Sequence, residues 1–138
     1  MREVADPVGE DEVDLALDGR IYAELLVDSA QAQETRSDEV SFSLAPGEGA
    51  EVKLVMVKGA QAKYAWTTNG AVVNFDTHGD GGGENISYEK GRGVAKDEGV
   101  LEAAFDGNHG WFWRNRTDAL VTVTLKTSGA YSDIKRMM

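Results

Sequence analysis

The segment GNHGWFWRN at residues 107–115 decides the fold of this chain. In a β-strand, successive side chains point to opposite faces, so the segment has one aromatic face and one mixed face. The first face carries His109, Trp111, Trp113 and Asn115, and the second carries Phe112, Arg114 and Arg116. A face with two indoles is buried or offered to a ligand. We therefore expect a strand within a packed sheet, here over 110–115.

Seven further runs rich in β-branched and aromatic residues lie between separators rich in Gly, Asp and Asn. They are VSFSL (40–44), EVKLVMV (51–57), KYAWTT (63–68), AVVNFDT (71–77), NISYE (85–89), VLEAAF (100–105) and LVTVTLKT (120–127). Short strands at intervals of roughly 8–12 residues are typical of sandwiches. The sequence predicts an all-β protein, an antiparallel β-sandwich or jelly roll of about eight strands.

Alternation within four of these runs predicts which side chains face the core. The predicted core positions are Phe42, Leu44, Val52, Leu54, Met56, Leu101, Ala103, Phe105, Val121, Val123 and Leu125. The opposite face carries Lys53, Glu102, Thr122 and Thr124. Separately, Asn69-Gly70 is typical of a type I′ turn, which predicts a hairpin pairing Tyr64–Thr68 with Ala71–Thr77.

The first 37 residues differ from the rest of the chain. Residues 1–20 hold seven acidic and two basic side chains, a net charge of −5, which predicts a solvated arm. Residues 20–34 have apolar residues at helical spacing and predict a short amphipathic helix, although a strand at Ile21–Val27 fits as an alternative. We expect an acidic arm with a short helix over 1–37 and one β-sandwich domain over 38–138.

Composition excludes several classes of function. The net charge of −10 opposes binding to nucleic acid phosphates. The chain has no cysteine, which excludes disulfides, thiolate nucleophiles and Cys-ligated zinc. Its longest apolar runs are far shorter than the roughly 20 residues of a membrane helix.

Four segments in this order resemble the Golgi-dynamics (GOLD) type of β-sandwich: SFSLAPGEGAEVKLVMVKGAQAKYAW, VVNFDTHGD, GNHGWFWRN and VTVTLKTSGAY. Over residues 38–131 the chain resembles more closely a group of small bacterial transmembrane anchor proteins with an HGWFWRN…VTVTL…G-Y signature. In that group, one N-terminal membrane helix carries an extracytoplasmic β domain. The resemblance implies a periplasmic or extracytoplasmic binding or adaptor domain, membrane-anchored in the full-length protein through a helix absent from this chain.

Two clusters are candidate sites. Asp76, His78, Asp80 and Glu84 lie within nine residues and could hold a divalent metal ion together with His109. The alternative is a solvated Gly/Asp turn whose side chains bond their own backbone, and the pattern favours this alternative.

The second candidate is an aromatic platform for a sugar ring or an apolar residue of a partner. It would consist of Trp111 and Trp113 with Tyr64 or Trp66 from another strand, and Arg114 would bind an acidic group. The alternative, which the pattern favours, is that the indoles belong to the core and Arg114 packs over Phe112.

We expect a non-enzymatic binding or scaffolding domain of a bacterial cell-envelope protein, whose partner is a protein, a glycan or a small molecule. The alternative is a metal- or ligand-dependent enzyme that uses Asp76, His78, Asp80, Glu84 and His109. Association of copies through an exposed sandwich face is a further expectation.

Overall fold

The computed structural model describes residues 35–137, which form two antiparallel sheets packed face to face. The nine strands are β1 (Thr35–Leu44), β2 (Gly49–Met56), β3 (Gln61–Thr67), β4 (Val73–Gly81), β5 (Glu84–Val94), β6 (Lys96–Glu102), β7 (Gly107–Arg114), β8 (Val121–Ala130) and β9 (Asp133–Met137). One sheet has the order β1-β8-β3-β6, and the other has the order β5-β4-β7-β2-β9. This arrangement is a jelly roll to which β9 adds an edge strand, so the predicted antiparallel sandwich is confirmed. No helix among the described residues is long and apolar enough to cross a membrane.

The core lies between the two sheets, and alternation predicted most of it. The predicted inward residues of β1, β2 and β8 are buried, as are Leu101 and Ala103, whereas Phe105 is half-buried. The core also contains three indoles, whose large apolar surfaces supply much of the burial. Hydrophobic burial between the two faces is therefore what holds the sheets together.

Strand β7 lies inside the five-stranded sheet, between β4 and β2. Just beyond it, the buried Asn115 donates from Nδ2 to the carbonyl oxygens of Leu44 and Ala119, at 2.9 and 2.7 Å. Its Oδ1 accepts hydrogen bonds from the backbone N–H and the hydroxyl of Thr117. Asn115 thus satisfies backbone groups where the strand ends, which explains a polar residue at the end of a core face.

The predicted hairpin at Asn69-Gly70 is wrong, although its turn is present. Asn69 and Gly70 have φ values of 56° and 97°, the positive angles that a type I′ turn requires. However, β3 pairs with β6 and β8, whereas β4 pairs with β5 and β7. The turn therefore carries the chain from one sheet to the other. Trp66 and Phe75, on its two sides, meet edge to face across the core, with ring centroids 5.2 Å apart.

Most strand boundaries differ from the predicted ones, and three differences change the layout of the chain. Residues 90–99, predicted as a separator, belong almost entirely to β5 and β6, and β9 was not predicted. Strand β1 begins three residues before the predicted domain boundary at residue 38. The predicted acidic segment at residues 1–20, the helix at residues 20–34 and its alternative strand at Ile21–Val27 lie outside the described residues.

Candidate functional site

The three indoles predicted as parts of an aromatic platform are buried. Trp66 is 2% exposed, and Trp111 and Trp113 are fully buried. Trp111 and Trp113 stack along β7, with ring centroids 6.3 Å apart. A partner cannot reach these rings in the folded domain, so the platform is wrong and the alternative assignment to the core is correct.

The other two platform residues lie apart from each other. Tyr64 is half-buried and packs against Trp111 inside the sandwich, with ring centroids 5.2 Å apart. Arg114 lies on the outer face of β7, with its guanidinium 5.1 Å from the centroid of the Phe112 ring. The guanidinium also donates to the carbonyl oxygen of Gly47 at 2.7 Å. Arg114 is therefore tied to its own sheet and loop.

His109 lies on the inner face of the same strand and is fully buried. Its Nε2 lies 2.8 Å from the carbonyl oxygen of Phe105 and its Nδ1 lies 2.8 Å from the hydroxyl of Tyr88. The carbonyl can only accept, so Nε2 carries the proton and Nδ1 accepts from Tyr88. Burial lowers the pKa of His109, partly opposed by the bond to Phe105. The neutral imidazole thus has both nitrogens occupied and has no lone pair left for a metal ion.

The buried neutral state of His109 makes stability depend on pH. The unfolded chain takes up a proton near the usual histidine pKa of about 6.5, whereas the folded protein resists it. We expect the free energy of unfolding to fall as the pH drops through this value, for example from about 7.5 to about 5.5 in urea titrations. His109→Gln, which cannot titrate, should lose this component, and an unchanged slope in that variant would contradict the assignment.

The predicted metal-binding residues do not come together. Asp76, His78 and Asp80 alternate along the outer face of β4, on the side of the sheet opposite to His109, which instead faces Gly79. Glu84 lies exposed at the start of β5. Within residues 35–137, no group of three or more His, Asp and Glu side chains could hold a metal ion. The predicted site for a divalent metal ion is therefore wrong.

The outer face instead carries an ion network in which Glu51 and Lys53 are the partners of His78 and Asp80. His78 Nε2 lies 3.0 Å from Glu51 Oε2, and Lys53 forms an ion pair with Asp80. The hydroxyl of Ser87 donates to Asp76 Oδ1 at 2.9 Å. These carboxylates already have partners within the protein, so the network stabilises the face and needs no ligand.

Lys53 is unusual in this network because only 3% of its surface is exposed. Its ammonium on β2 reaches Asp80 on β4, two strands away, and lies 3.8 Å from Glu51. On the intervening strand β7, the residue paired with Lys53 is Gly110, which leaves room for the lysine side chain to cross. The hydrogen bond from Lys53 lowers the pKa of Asp80 although desolvation opposes it. The path of the Lys53 side chain depends on the strand register, which the sequence does not reveal.

A different site lies at the open side of the sandwich, where β5 and β6 form the neighbouring edges of the two sheets. A cavity of about 210 Å³ opens there. It is lined by Tyr64, Thr77, Tyr88, Glu89, Val100, Leu101 and Glu102. Thr77 is only 1% exposed, yet its Oγ1 has no hydrogen-bond partner among the described residues. Such a buried hydroxyl is uncommon in folded proteins, which makes this cavity the candidate functional site.

Glu89, a residue of the cavity lining, lies beside Asp97, which lines a second, larger depression. Asp97 on β6 forms a hydrogen-bonding contact with Glu89 on β5, and this contact together with desolvation raises the pKa of Glu89. One oxygen of Asp97, Oδ2, is buried without a partner in the described part of the chain. Burial, followed by the charges of Asp97 and Glu89, raises the pKa of Tyr64 to about 12, so its phenol stays neutral. Two carboxyl groups, Glu89 and Asp97, therefore lie close to a neutral phenol at this edge of the sandwich.

Glycine determines how Tyr64 is placed. On β6, Gly99 pairs with Tyr64, and a Cβ at residue 99 would lie 3.2 Å from the phenol oxygen. The ring thus crosses Gly99 towards the edge of the sheet. The sequence indicates Tyr64 only as an aromatic residue of the predicted platform, and it does not indicate Thr77, Glu89 or Asp97, because their proximity depends on how the two sheets pack.

A larger depression of about 460 Å³ lies along β3, β6 and β8. Its charged walls include Lys96, Glu98 and Lys126, all of which are exposed. Its lining also includes Trp66 and Asp97, whose Nε1 and Oδ2 are buried without partners among the described residues. Its charged residues have both signs, whereas those that line the smaller cavity, Glu89 and Glu102, are both acidic, so the smaller cavity discriminates more sharply between ligands by their charge.

Comparisons with known proteins address the fold only. No protein-family model matches the sequence, and no curated protein matches it significantly. Among solved structures, a mitogen derived from Yersinia pseudotuberculosis matches with a TM-score of 0.51 and 9% identity, over 72% of this chain and 90% of that chain. At this identity the likeness shows a shared fold and nothing about activity.

Two other solved structures match with lower TM-scores. A de novo designed double-stranded β-helix has 18% identity and a TM-score of 0.35, over 65% of this chain and 97% of the designed one. An uncharacterised conserved protein with a double-stranded β-helix domain from Klebsiella pneumoniae has 10% identity and a TM-score of 0.39, over 77% of this chain and 78% of that chain.

Proposed function

We propose that this protein is a non-enzymatic binding domain that takes a small polar ligand between its two sheets. The observation that carries the proposal is Thr77, whose buried hydroxyl lines the cavity and has no partner among the described residues. Leaving a buried polar group without a hydrogen bond costs about 1–3 kcal/mol. A ligand that bonds to this hydroxyl would recover that energy.

The size of the cavity limits the ligand. Its volume of about 210 Å³ lies below the roughly 300–1,000 Å³ of typical drug-sized pockets. A compound of few non-hydrogen atoms, or a single side chain or sugar substituent of a larger partner, fits this space. The walls combine Tyr and Leu surfaces with a few polar groups, the composition that fixes the orientation of small ligands.

The Thr77 hydroxyl supplies a test that does not require the ligand. Thr77→Val keeps the shape and removes an unsatisfied group, so we expect the free energy of unfolding to stay equal or to rise by up to about 1 kcal/mol. The control is Thr127→Val, since the buried Thr127 hydroxyl lies 2.7 Å from the Tyr131 hydroxyl and its loss should cost about 1 kcal/mol. Urea unfolding of both variants compares them. An equal loss in both would show that Thr77 is satisfied and would contradict the site.

Direct binding is tested by two-dimensional NMR with a set of small amines, alcohols and carboxylic acids. At least one class should shift the amide signals of Thr77, Tyr88 and Leu101, and Thr77→Val should weaken the effect. If no class shifts those signals, the proposed site is not a binding site.

We also propose the envelope location that the resemblance implies, with a protein or glycan as the larger partner and with copies associating through a sandwich face. The support for the location is the HGWFWRN…VTVTL…G-Y signature at residues 109–131. Cell fractionation of the natural producer tests the location, and the mass in solution tests association. Recovery in the cytosol, or a monomer at high concentration, would contradict the respective proposal.

A further inference from the structure

We infer that the cavity between the sheets takes a small organic cation, a protonated primary amine or a guanidinium group, an assignment that rests on the proposed binding function. The inference comes from three properties of the cavity: the hydrogen-bonding capacity left over in its walls, the sign of its charge, and its aromatic surface.

The oxygen atoms without hydrogen-bond partners favour a ligand that donates hydrogen bonds. Two oxygen atoms are buried without partners in the described part of the chain: Oγ1 of Thr77, a residue of the cavity lining, and Oδ2 of Asp97, which contacts Glu89 of the cavity but lines the larger depression. An ionised carboxylate only accepts hydrogen bonds, and a hydroxyl oxygen accepts as well as donates. An ammonium or guanidinium group, which only donates, complements both atoms.

The charged residues that line the cavity have one sign. Glu89 and Glu102 line it, and none of its lining residues is basic, whereas Asp97, which contacts Glu89, belongs to the larger depression that Lys96 and Lys126 also line. The hydrogen-bonding contact with Asp97, followed by desolvation and the charge of Asp97, raises the pKa of Glu89, and the two carboxylates would repel each other if both were ionised. A cation between the two carboxylates replaces the proton that otherwise relieves the repulsion. The net charge of −10 also attracts cations at long range.

The aromatic surface favours an organic cation over a metal ion. Tyr64 and Tyr88 contribute to the lining, and the faces of such rings attract cations. A bare metal ion instead needs several oxygen or nitrogen ligands around one point, and no group of three His, Asp or Glu side chains in residues 35–137 offers that. Anions are disfavoured by the same carboxylates.

The experiment uses butylamine, agmatine and butanol as probes, followed by two-dimensional NMR at near-neutral pH and low salt. Butylamine and butanol have similar size and differ in charge. We expect the two amines to shift the amide signals of Thr77, Tyr88 and Leu101 and butanol to bind at least about tenfold more weakly, since charged hydrogen bonds are about twice as strong as neutral ones. Glu89→Gln and Asp97→Asn, made separately, should each weaken amine binding about tenfold.

Glu98→Gln is the matched control. Glu98 neighbours Asp97 on the same strand, is exposed and does not line the cavity, so its loss changes the net charge equally and should leave amine binding unchanged. Equal weakening by Glu98→Gln would indicate nonspecific surface attraction and would overturn the inference. Urea unfolding verifies that each variant is folded.

The remaining outcomes separate this inference from the proposed function. If butanol shifts the cavity signals as strongly as the amines, the cavity binds ligands but not cations in particular, and only the inference fails. The same holds if Ca²⁺ or Zn²⁺ shifts those signals more strongly than the amines. If none of the probes, nor small carboxylic acids, shifts them, both the inference and the proposed function fail.

Discussion

Replacing Trp113 with alanine will lower the free energy of unfolding by about 3–5 kcal/mol, the range for removing a buried tryptophan. Trp113 is fully buried on β7, and its ring lies 5.5 Å from Phe42 and 6.0 Å from Trp66, measured between ring centroids. These two neighbours belong to the opposite sheet, so the substitution opens a void between the layers. For a domain of this size, such a loss is a large part of the total stability. Urea unfolding monitored by circular dichroism measures it.

Phe112→Ala is the control for this prediction. Phe112 is the adjacent aromatic residue, but it points to the outer face of the sheet and is only half-buried beneath Arg114. Its removal leaves no internal cavity and should cost about 1 kcal/mol. If both substitutions lower the free energy of unfolding equally, burial between the sheets does not determine how much this strand contributes to stability.

The core was predictable from the sequence because it depends on a local rule. Alternation assigned Trp111 and Trp113 to one face, and hydrophobic residues on that face are buried whichever strands become neighbours. The same rule explains why β5 and β6 were misplaced. These edge strands are mostly exposed and contain Gly91, Gly93 and Gly99, so their composition resembles a loop.

Properties that depend on strand pairing were not predictable. Asn69-Gly70 determined the geometry of its turn, but the dihedral angles of a turn do not decide whether the strands beyond it share a sheet. His78 and His109 appeared as two ligands for one ion because their side chains could be assigned to faces only relative to their own strands. The register pairs His78 with Gly110 and His109 with Gly79, which puts the imidazoles on opposite sides of one sheet.

The candidate cavity could not be predicted from the sequence for the same reason. Tyr64, Glu89 and Asp97 come from three strands in two sheets, and no local pattern links them. The sequence nevertheless contained one general indication of the ligand, the acidic balance of the chain, which argued against nucleic acid and is consistent with a cation.

The second large effect is expected at Gly110, the residue that Lys53 crosses. A Cβ on Gly110 would overlap the carbonyl oxygen of Val52 and would lie 2.8 Å from the Cα of Lys53. Both are backbone atoms of the paired strand β2, which cannot move without disturbing β9 on its other side. Gly110→Ala should therefore lower the free energy of unfolding by about 3 kcal/mol or more, at the upper end of the range for overpacking.

Gly49→Ala distinguishes this overlap from a general effect of glycine. Gly49 also belongs to the β2–β7 pair, but the nearest atom to its added Cβ is Cζ of Phe112, at 2.7 Å. That atom is the far end of a half-buried ring that can rotate away, so we expect Gly49→Ala to lower the free energy of unfolding by less than about 1 kcal/mol.

The substitution at Gly110 should also displace the Lys53 ammonium from Asp80, and the Asp80 carboxyl should then titrate closer to its usual pKa of about 3.9. Urea unfolding of both variants and NMR titration of Asp80 measure these effects. Comparable stability of the two variants would show that the backbone at Gly110 yields, and an unchanged pKa of Asp80 would show that Lys53 reaches it by another path.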